Sequence, residues 1–269
     1  MLSRLQCSLG LMVAVFLAGC GESGSAITVS GSSTIAPLMA ELAERYETET
    51  GIQVDVQSGG SGRAIADVRQ GLADLGMVSR ALKEDEQDLE GYLIGRDGIA
   101  IIVNSANPVR ALSDDQIRAI YTGKTQRWES GPGEGRDITV VHKAQGRSTQ
   151  ELFLAYFQLE NSQVQPDQVI GENQQGIKAV AGDPFAIGYV SIGTAIYEAE
   201  NGTPIRLLPL EGAPASLAVL AQGNYPLARE LNLVTHGAVS QPVADFLAFV
   251  TRTDMADVYH DYYFLPAVE

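Results

Sequence analysis

Ile27-Thr28-Val29-Ser30-Gly31-Ser32-Ser33-Thr34-Ile35-Ala36-Pro37 opens as a strand and closes as a helix. Residues 27–29 suit a pleated surface, and the Ser/Gly/Thr run behind them is turn chemistry. Ile35, Leu38, Met39, Leu42 and Tyr46 then recur at helical spacing as far as Gly51. The same order repeats downstream. Residues 52–56 read as a second strand ending in Ser58-Gly59-Gly60-Ser61-Gly62, and Ile65, Val68 and Leu72 mark another helix face. Residues 74–79 and 99–103 read as a third and a buried fourth strand. The second half adds a short helix over 114–121, strands over 138–141, 185–190 and 231–235, and helices bearing Leu152, Phe153, Tyr156 and Phe157, then Val243, Phe246, Leu247 and Val250. Alternation of this kind predicts an α/β fold with mainly parallel sheets. Residues 131–135 and 200–204 read as exposed loops.

The N-terminus reads as an export signal. Arg4 is its one charge, and residues 11–18 form an apolar run too short to span a bilayer. Leu17-Ala18-Gly19-Cys20 resembles the bacterial lipobox, which implies cleavage after residue 19, acylation of Cys20 and a polar tether over 20–26. Cys7 and Cys20 are the only cysteines, so the mature chain has no disulfide and rests on an apolar core. At 45% hydrophobic composition, about 250 residues can build that core as one large or two smaller units. The formal charge is −15, and residues 1–19 hold only the +1 of Arg4, so the remainder carries −16. That surface disfavours nucleic acid and anionic lipid, and any anion site must work through locally aimed donors.

Three strand ends deliver hydroxyls and glycines to a helix start: Gly31-Ser32-Ser33-Thr34, Gly60-Ser61-Gly62 and Gly146-Arg147-Ser148-Thr149. Helix N-termini present unpaired N–H groups and the positive end of the macrodipole, and glycine lets backbone approach a ligand. Converging, the three would make an oxyanion cage at the carboxyl ends of the strands. Each alone is also what an ordinary N-cap or turn looks like, and Arg80 alone reads as a surface ion-pair partner.

Taken in order, Val29–Pro37, Ser58–Gly62, Ala73-Asp74-Leu75-Gly76-Met77-Val78-Ser79-Arg80, Tyr121-Thr122-Gly123-Lys124 with Trp128, Ala186-Ile187-Gly188-Tyr189-Val190 and Tyr225-Pro226-Leu227-Ala228-Arg229 resemble the PstS family, the phosphate-binding components of phosphate ABC transporters, in its shorter lipoprotein form. The resemblance implies a two-lobed periplasmic-binding-protein fold of the Venus-flytrap type (type II) with crossover hinge strands. Lobe I would hold residues 27–103 and 227–269, and lobe II residues 104–226. Phosphate contacts would come from Ser33, Thr34, Ser61, Gly62, Ser79 and Arg80 in one lobe, and from Gly146, Arg147, Ser148 and Thr149 in the other. Separate permease and ATPase chains would be the partners, the lipid the only membrane contact, and the protein a monomer without cofactor. The chain departs from the family in two places. Lys143 stands where many relatives carry Arg ahead of the second-lobe loop, and Ser79-Arg80 stands where long relatives place a carboxylate that accepts the proton of hydrogen phosphate.

Spacing alone leaves sulfate, molybdate or tungstate open as ligands. It also leaves open an interaction or signalling protein that kept the fold. An enzyme is disfavoured: His142, His236 and His260 are scattered, and neither a nucleophile elbow nor a P-loop is present.

Overall fold

The computed structural model of the chain describes residues 26–128 and 135–268. The expected signal segment, Cys20 and most of the tether lie outside them, as does most of the 131–135 loop.

The opening stretch folds as read. Strand β1 (Ile27–Gly31) leads into helix α1 (Ala36–Thr50), which has Pro37 in its first turn and ends at Gly51 in the left-handed conformation, φ 75°. β1 lies parallel to β2 (Val54–Ser58) on one side and to β3 (Leu75–Val78) on the other. Between them, helix α2 (Ser61–Arg69) buries Ala64, Ile65 and Val68. It stops before Leu72, which is 64% exposed and not part of the helix face expected for it.

Strand β4 (Leu89–Asn104) is far longer than the 99–103 segment read from the sequence. Its first part pairs with β9 (Ala228–His236) from Leu89↔His236 to Gly98↔Ala228, with a register shift between Leu93 and Gly95. Its last part pairs with β7 (Ala186–Ser191) and β8 (Ile205–Leu208). These pairings are all antiparallel, as are β3 with β9 and β4 with β10 (Leu265–Pro266). The parallel pairings are β1 with β2 and β3, and β5 (Thr139–Lys143) with β7 and β6 (Gln168–Ile170). The sheet is therefore mixed, not mainly parallel. Strand–helix alternation predicts parallel units one at a time. It says nothing of two strands distant in sequence that run past each other.

Two large apolar cores result, with a smaller cluster of Ala64, Ile65, Val68, Val78 and Val234 under α2. One gathers Val29, Leu38, Met39, Leu42, Ile94, Leu231, Phe246 and Tyr259. The other gathers Ile99–Val103, Tyr121, Trp128, Phe153, Ile177, Tyr189 and Leu227. Core membership changes inside β4, between Ile94 and Ile99, and again between Leu227 and Leu231. Helices α3 (Asp114–Tyr121), α4 (Ser148–Tyr156), α5 (Asn173–Gly182), α6 (Ile192–Glu200) and α7 (Leu217–Ala221) surround the second core. Helices α8 (Gln241–Val250) and α9 (Ala256–Asp261) return to the first. Tyr259 and Phe264 are buried there.

Gly31 sets the direction in which β1 hands its hydroxyls forward. Its φ is +133°, and a Cβ there would stand 2.5 Å from both the Ala64 Cβ and the Met77 carbonyl oxygen. Gly31→Ala is expected to lower stability by about 2 kcal/mol or more through backbone strain and overpacking. A drop in the urea midpoint at unchanged slope would show it.

Candidate anion-binding site

The turns behind β1, β2 and β5 deliver their hydroxyls to one place. α1, α2 and α4 begin at these turns, and none of the three has a side-chain N-cap hydrogen bond. The hydroxyls instead face each other across the line where the two cores meet. Ser61 Oγ and Ser148 Oγ are 2.5 Å apart, and Ser79 Oγ lies 2.9 Å from Ser148 Oγ. Ser32 Oγ donates to Ser79 Oγ (2.8 Å), and the Ser79 amide donates to Ser61 Oγ (3.2 Å). Ser32, Thr34, Ser61, Ser79, Ser148 and Thr149 are all at most 4% exposed. Buried hydroxyls cost free energy unless paired, so this gathering fixes both halves in register.

The cation of the cluster is Arg229, at the start of β9. Its Nη1 donates to Thr149 Oγ1 (2.9 Å) and Ser79 Oγ (3.4 Å), and its Nη2 donates to Thr34 Oγ1 (3.0 Å). Asp97, directly opposite on β4, accepts from Arg229 Nε (3.0 Å) and Nη2 (2.7 Å) through one oxygen. The other Asp97 oxygen accepts from the Gly193 amide at 3.2 Å. Lys143 ends β5 and supplies a second buried basic group. Its Nζ donates to Asn173 Oδ1 at 2.7 Å, and Asn173 Nδ2 donates to Thr34 Oγ1 at 3.1 Å. Burial, followed by repulsion from Arg229, pushes the Lys143 ammonium down to about 7.

Of the residues named from the sequence, Thr34, Ser61, Ser79, Ser148 and Thr149 come together here. Ser33 makes none of these contacts and lies near Glu172, where it helps to hold that carboxyl below its usual range. The Gly62 amide donates to the Gly146 carbonyl at 3.1 Å, stitching the two turns to each other. Arg80 is buried but committed elsewhere. It grips Glu86 with two bonds of 2.7 Å and meets Glu151 of α4 at 3.1 Å. Burial opposes ionisation of Glu86, yet the hydrogen bonds from Arg80 and the Lys83 amide, with the positive charges of both residues, together outweigh it and hold the carboxyl below its usual range. Arg147 pairs with Glu172 at 2.6 Å, and Glu172 also accepts from Ser58 Oγ at 2.7 Å. Both arginines thus brace the meeting of the two cores, with their charge already matched by carboxylates.

The sequence reading missed Ser32, Asp97, Asn173 and Arg229 as site residues and noted Lys143 only as a departure. Arg229 lay in a quoted segment, but no local spacing ties it to Thr34, 195 positions away. His142, beside Lys143, is held by Tyr189 OH at Nδ1 (2.9 Å) and Asn161 at Nε2 (3.1 Å), and burial lowers its pKa. It is a packed strand-end residue. Among the described residues no cluster of His, Cys, Asp and Glu could hold a metal ion.

Two α/β units joined by crossing strands, with a cluster of buried hydroxyl and guanidinium donors between them, match a known architecture. Residues 18–254 match the model of the PBP superfamily domain. The chain belongs to that superfamily. It is similar to the phosphate-binding protein PstS of Bacillus subtilis, at 27% identity over 87% of this chain and 78% of that protein. An ABC-type phosphate transport receptor from Vibrio cholerae superposes with TM-score 0.72 at 28% identity, over 89% of this chain and 99% of that one. A putative phosphate ABC transporter substrate-binding protein with bound phosphate from Clostridium perfringens shares the fold at TM-score 0.83 and 24% identity, over 90% of this chain and 99% of that one. The resemblance read from the motifs is therefore borne out along most of the chain.

Arg229→Met is expected to lower stability by about 3–5 kcal/mol, because it leaves Asp97 charged and unpaired in the interior. Adding Asp97→Asn, which keeps an acceptor for the Gly193 amide, should recover more than half of that loss in chemical denaturation.

Proposed function

We propose that this chain is the extracytoplasmic phosphate-binding component of an ABC importer, closing two lobes on one anion. The observation that carries it is the meeting of five buried hydroxyls, from Thr34, Ser61, Ser79, Ser148 and Thr149, around the Arg229 guanidinium. An oxyanion placed among them replaces neutral hydroxyl–hydroxyl bonds with charge-assisted ones, each worth about 1.5–3 kcal/mol. Submicromolar affinity needs somewhat more than about 8 kcal/mol in total, which several such bonds provide after the costs of closure. The lobe boundary expected after residue 103 moves back into β4, because Ile99–Val103 pack in the second core: lobe I takes the residues up to the middle of β4 together with the C-terminal part from β9 onward, and lobe II takes those between. Gly62 and Gly146 shape the approach of the two turns, while Arg80 and Arg147 act as braces and not as ligand contacts. Ser33 acts through Glu172.

The family is one of binders, not enzymes, and full-length relatives bear the name of phosphate-binding proteins. Delivery is then to a separate permease driven by its ATPase. We assign Cys20 as the lipid attachment site on its lipobox-like context, with residues 1–19 removed, so that a monomer is held at the envelope surface by its acyl chains alone. Replacing Cys20 by Ser should abolish incorporation of labelled fatty acid and release the protein from the membrane fraction.

Calorimetric titration of the purified, ligand-stripped protein with inorganic phosphate at neutral pH should show tight one-to-one binding. Ser79→Ala and Thr149→Ala should each weaken it about tenfold to a hundredfold. Silence toward phosphate in demonstrably folded protein would remove this reading. Preference for sulfate or molybdate would change the ligand and keep the fold's role.

A further inference from the structure

A buried lysine with a nearly unused head group stands at the edge of the hydroxyl cluster. Lys143 is 2% exposed, and among the described residues Asn173 Oδ1 is the one hydrogen-bond partner of its Nζ. An ammonium has three donors, and burying one with two of them idle is costly. A free amine has a lone pair instead, and needs a donor brought to it. Asn173 joins Nζ to Thr34, which is shared with Arg229, so a single amide side chain links Nζ to the hydroxyl cluster.

We propose that Lys143 is the specificity residue of this site: as a free amine it accepts the hydrogen of a protonated oxyanion, so the site favours hydrogen phosphate over sulfate. The proposal rests on the phosphate reading above and supplies the acceptor that Ser79-Arg80 does not. The P–OH hydrogen is donated to the Nζ lone pair. If it transfers, the O–H bond breaks, its electron pair stays on the phosphate oxygen and an N–H bond forms, leaving the net charge of the complex unchanged. Sulfate at neutral pH has no hydrogen to give, so its lone pairs oppose that of Nζ until a proton is drawn from solvent.

The charged and titratable groups around Lys143 fit this role. Arg229 from β9 and Arg147 ahead of α4 repel a second cation, while Glu172 at the start of α5 attracts one. Glu172 is itself engaged by Arg147 and Ser58, and Asp97 on β4 is taken up by Arg229. His142 on β5 is tied to Tyr189 of β7 and to Asn161, and Tyr189 OH accepts from the Lys143 amide at 3.2 Å. Burial first, then the repulsion of Arg229 and Arg147 against the pull of Glu172, brings the lysine down to about 7.

The test is titration of the protein and of Lys143→Arg with phosphate and with sulfate between about pH 6 and about pH 8.5, in two buffers of different ionisation enthalpy. In the unaltered protein, sulfate affinity is expected to fall by up to about tenfold per pH unit above about pH 7, with close to one proton taken up per anion. Phosphate affinity should change far less. In Lys143→Arg, which stays charged, the pH dependence of sulfate binding should flatten and the gap between the anions close. The proton counts of the unaltered protein decide even if that variant does not fold. Parallel pH profiles for the two anions would overturn the proposal. So would sulfate binding without proton uptake, or no sulfate binding at about pH 6 where phosphate binds. Silence toward both anions at every pH removes the phosphate reading itself, a different failure.

Discussion

Arg229 and Asp97 stand directly opposite each other on the two strands that connect the cores, and both side chains are almost wholly withdrawn from water. Bringing two charges into the interior costs several kcal/mol each, and their attraction offsets this only if geometry is good and the remaining donors are used. The geometry here meets that condition. One carboxylate oxygen takes two guanidinium bonds, the other takes a backbone amide, and the outer face of the guanidinium is spent on Thr34, Thr149 and Ser79. The pair therefore fixes the register of the crossing strands and aims a permanent cation at the hydroxyls. Arginine suits this position because its rigid fork can hold a carboxylate along one edge and reach outward along another.

Around that pair, the chain divides its polar residues between two tasks. The small hydroxyls converge on the centre, whereas the larger charges brace the margins. Glu151 of α4 is met by Arg80 at 3.1 Å and by Lys83 at 2.7 Å, both from the other core. On the opposite margin Glu172 takes Ser58 from one side and Arg147 from the other. The Glu151 bridges and the Ser58–Glu172 bond can form only when the two units are brought together, so they add to the closed arrangement without touching an anion, while Arg147 holds Glu172 in place from within its own unit. The strongly negative surface is no obstacle to anion capture under this division. The relevant cation, Arg229, is buried beside the hydroxyls, where the effective dielectric is lower and distant charges are screened.

The sequence disclosed most of the units and half of the centre. Helical spacing located α1, α3, α4 and α8, and the hydroxyl turns before α1, α2 and α4 were recognisable because a strand end, a glycine and a helix start leave a local signature. Leu72 misled because its spacing continues the α2 stripe, while the helix itself ends at Arg69. Arg80 and Arg147 were read as ligand contacts from their place in motifs, but sequence position does not reveal that Glu86 and Glu172 already match their charge. Arg229, Asp97 and Asn173 left no local trace. Each acquires its role from pairings between 30 and 195 residues apart, which periodicity cannot register.

The same crossing strands constrain how the molecule is made. The core around Val29 and Leu38 is completed by Leu231, Phe246 and Tyr259, so its parts come from the two ends of the chain. The core around Ile101 and Tyr189 lies wholly between them in sequence. During synthesis or translocation the inner unit has all its apolar partners first, while the outer one must wait, with β1, β2 and β3 exposed, until the last 40 or so residues arrive. The outer unit is thus the later of the two to fold. Its formation also brings β9 against β4 and seats Arg229 against Asp97, so the binding centre is assembled in the same late step that finishes the fold.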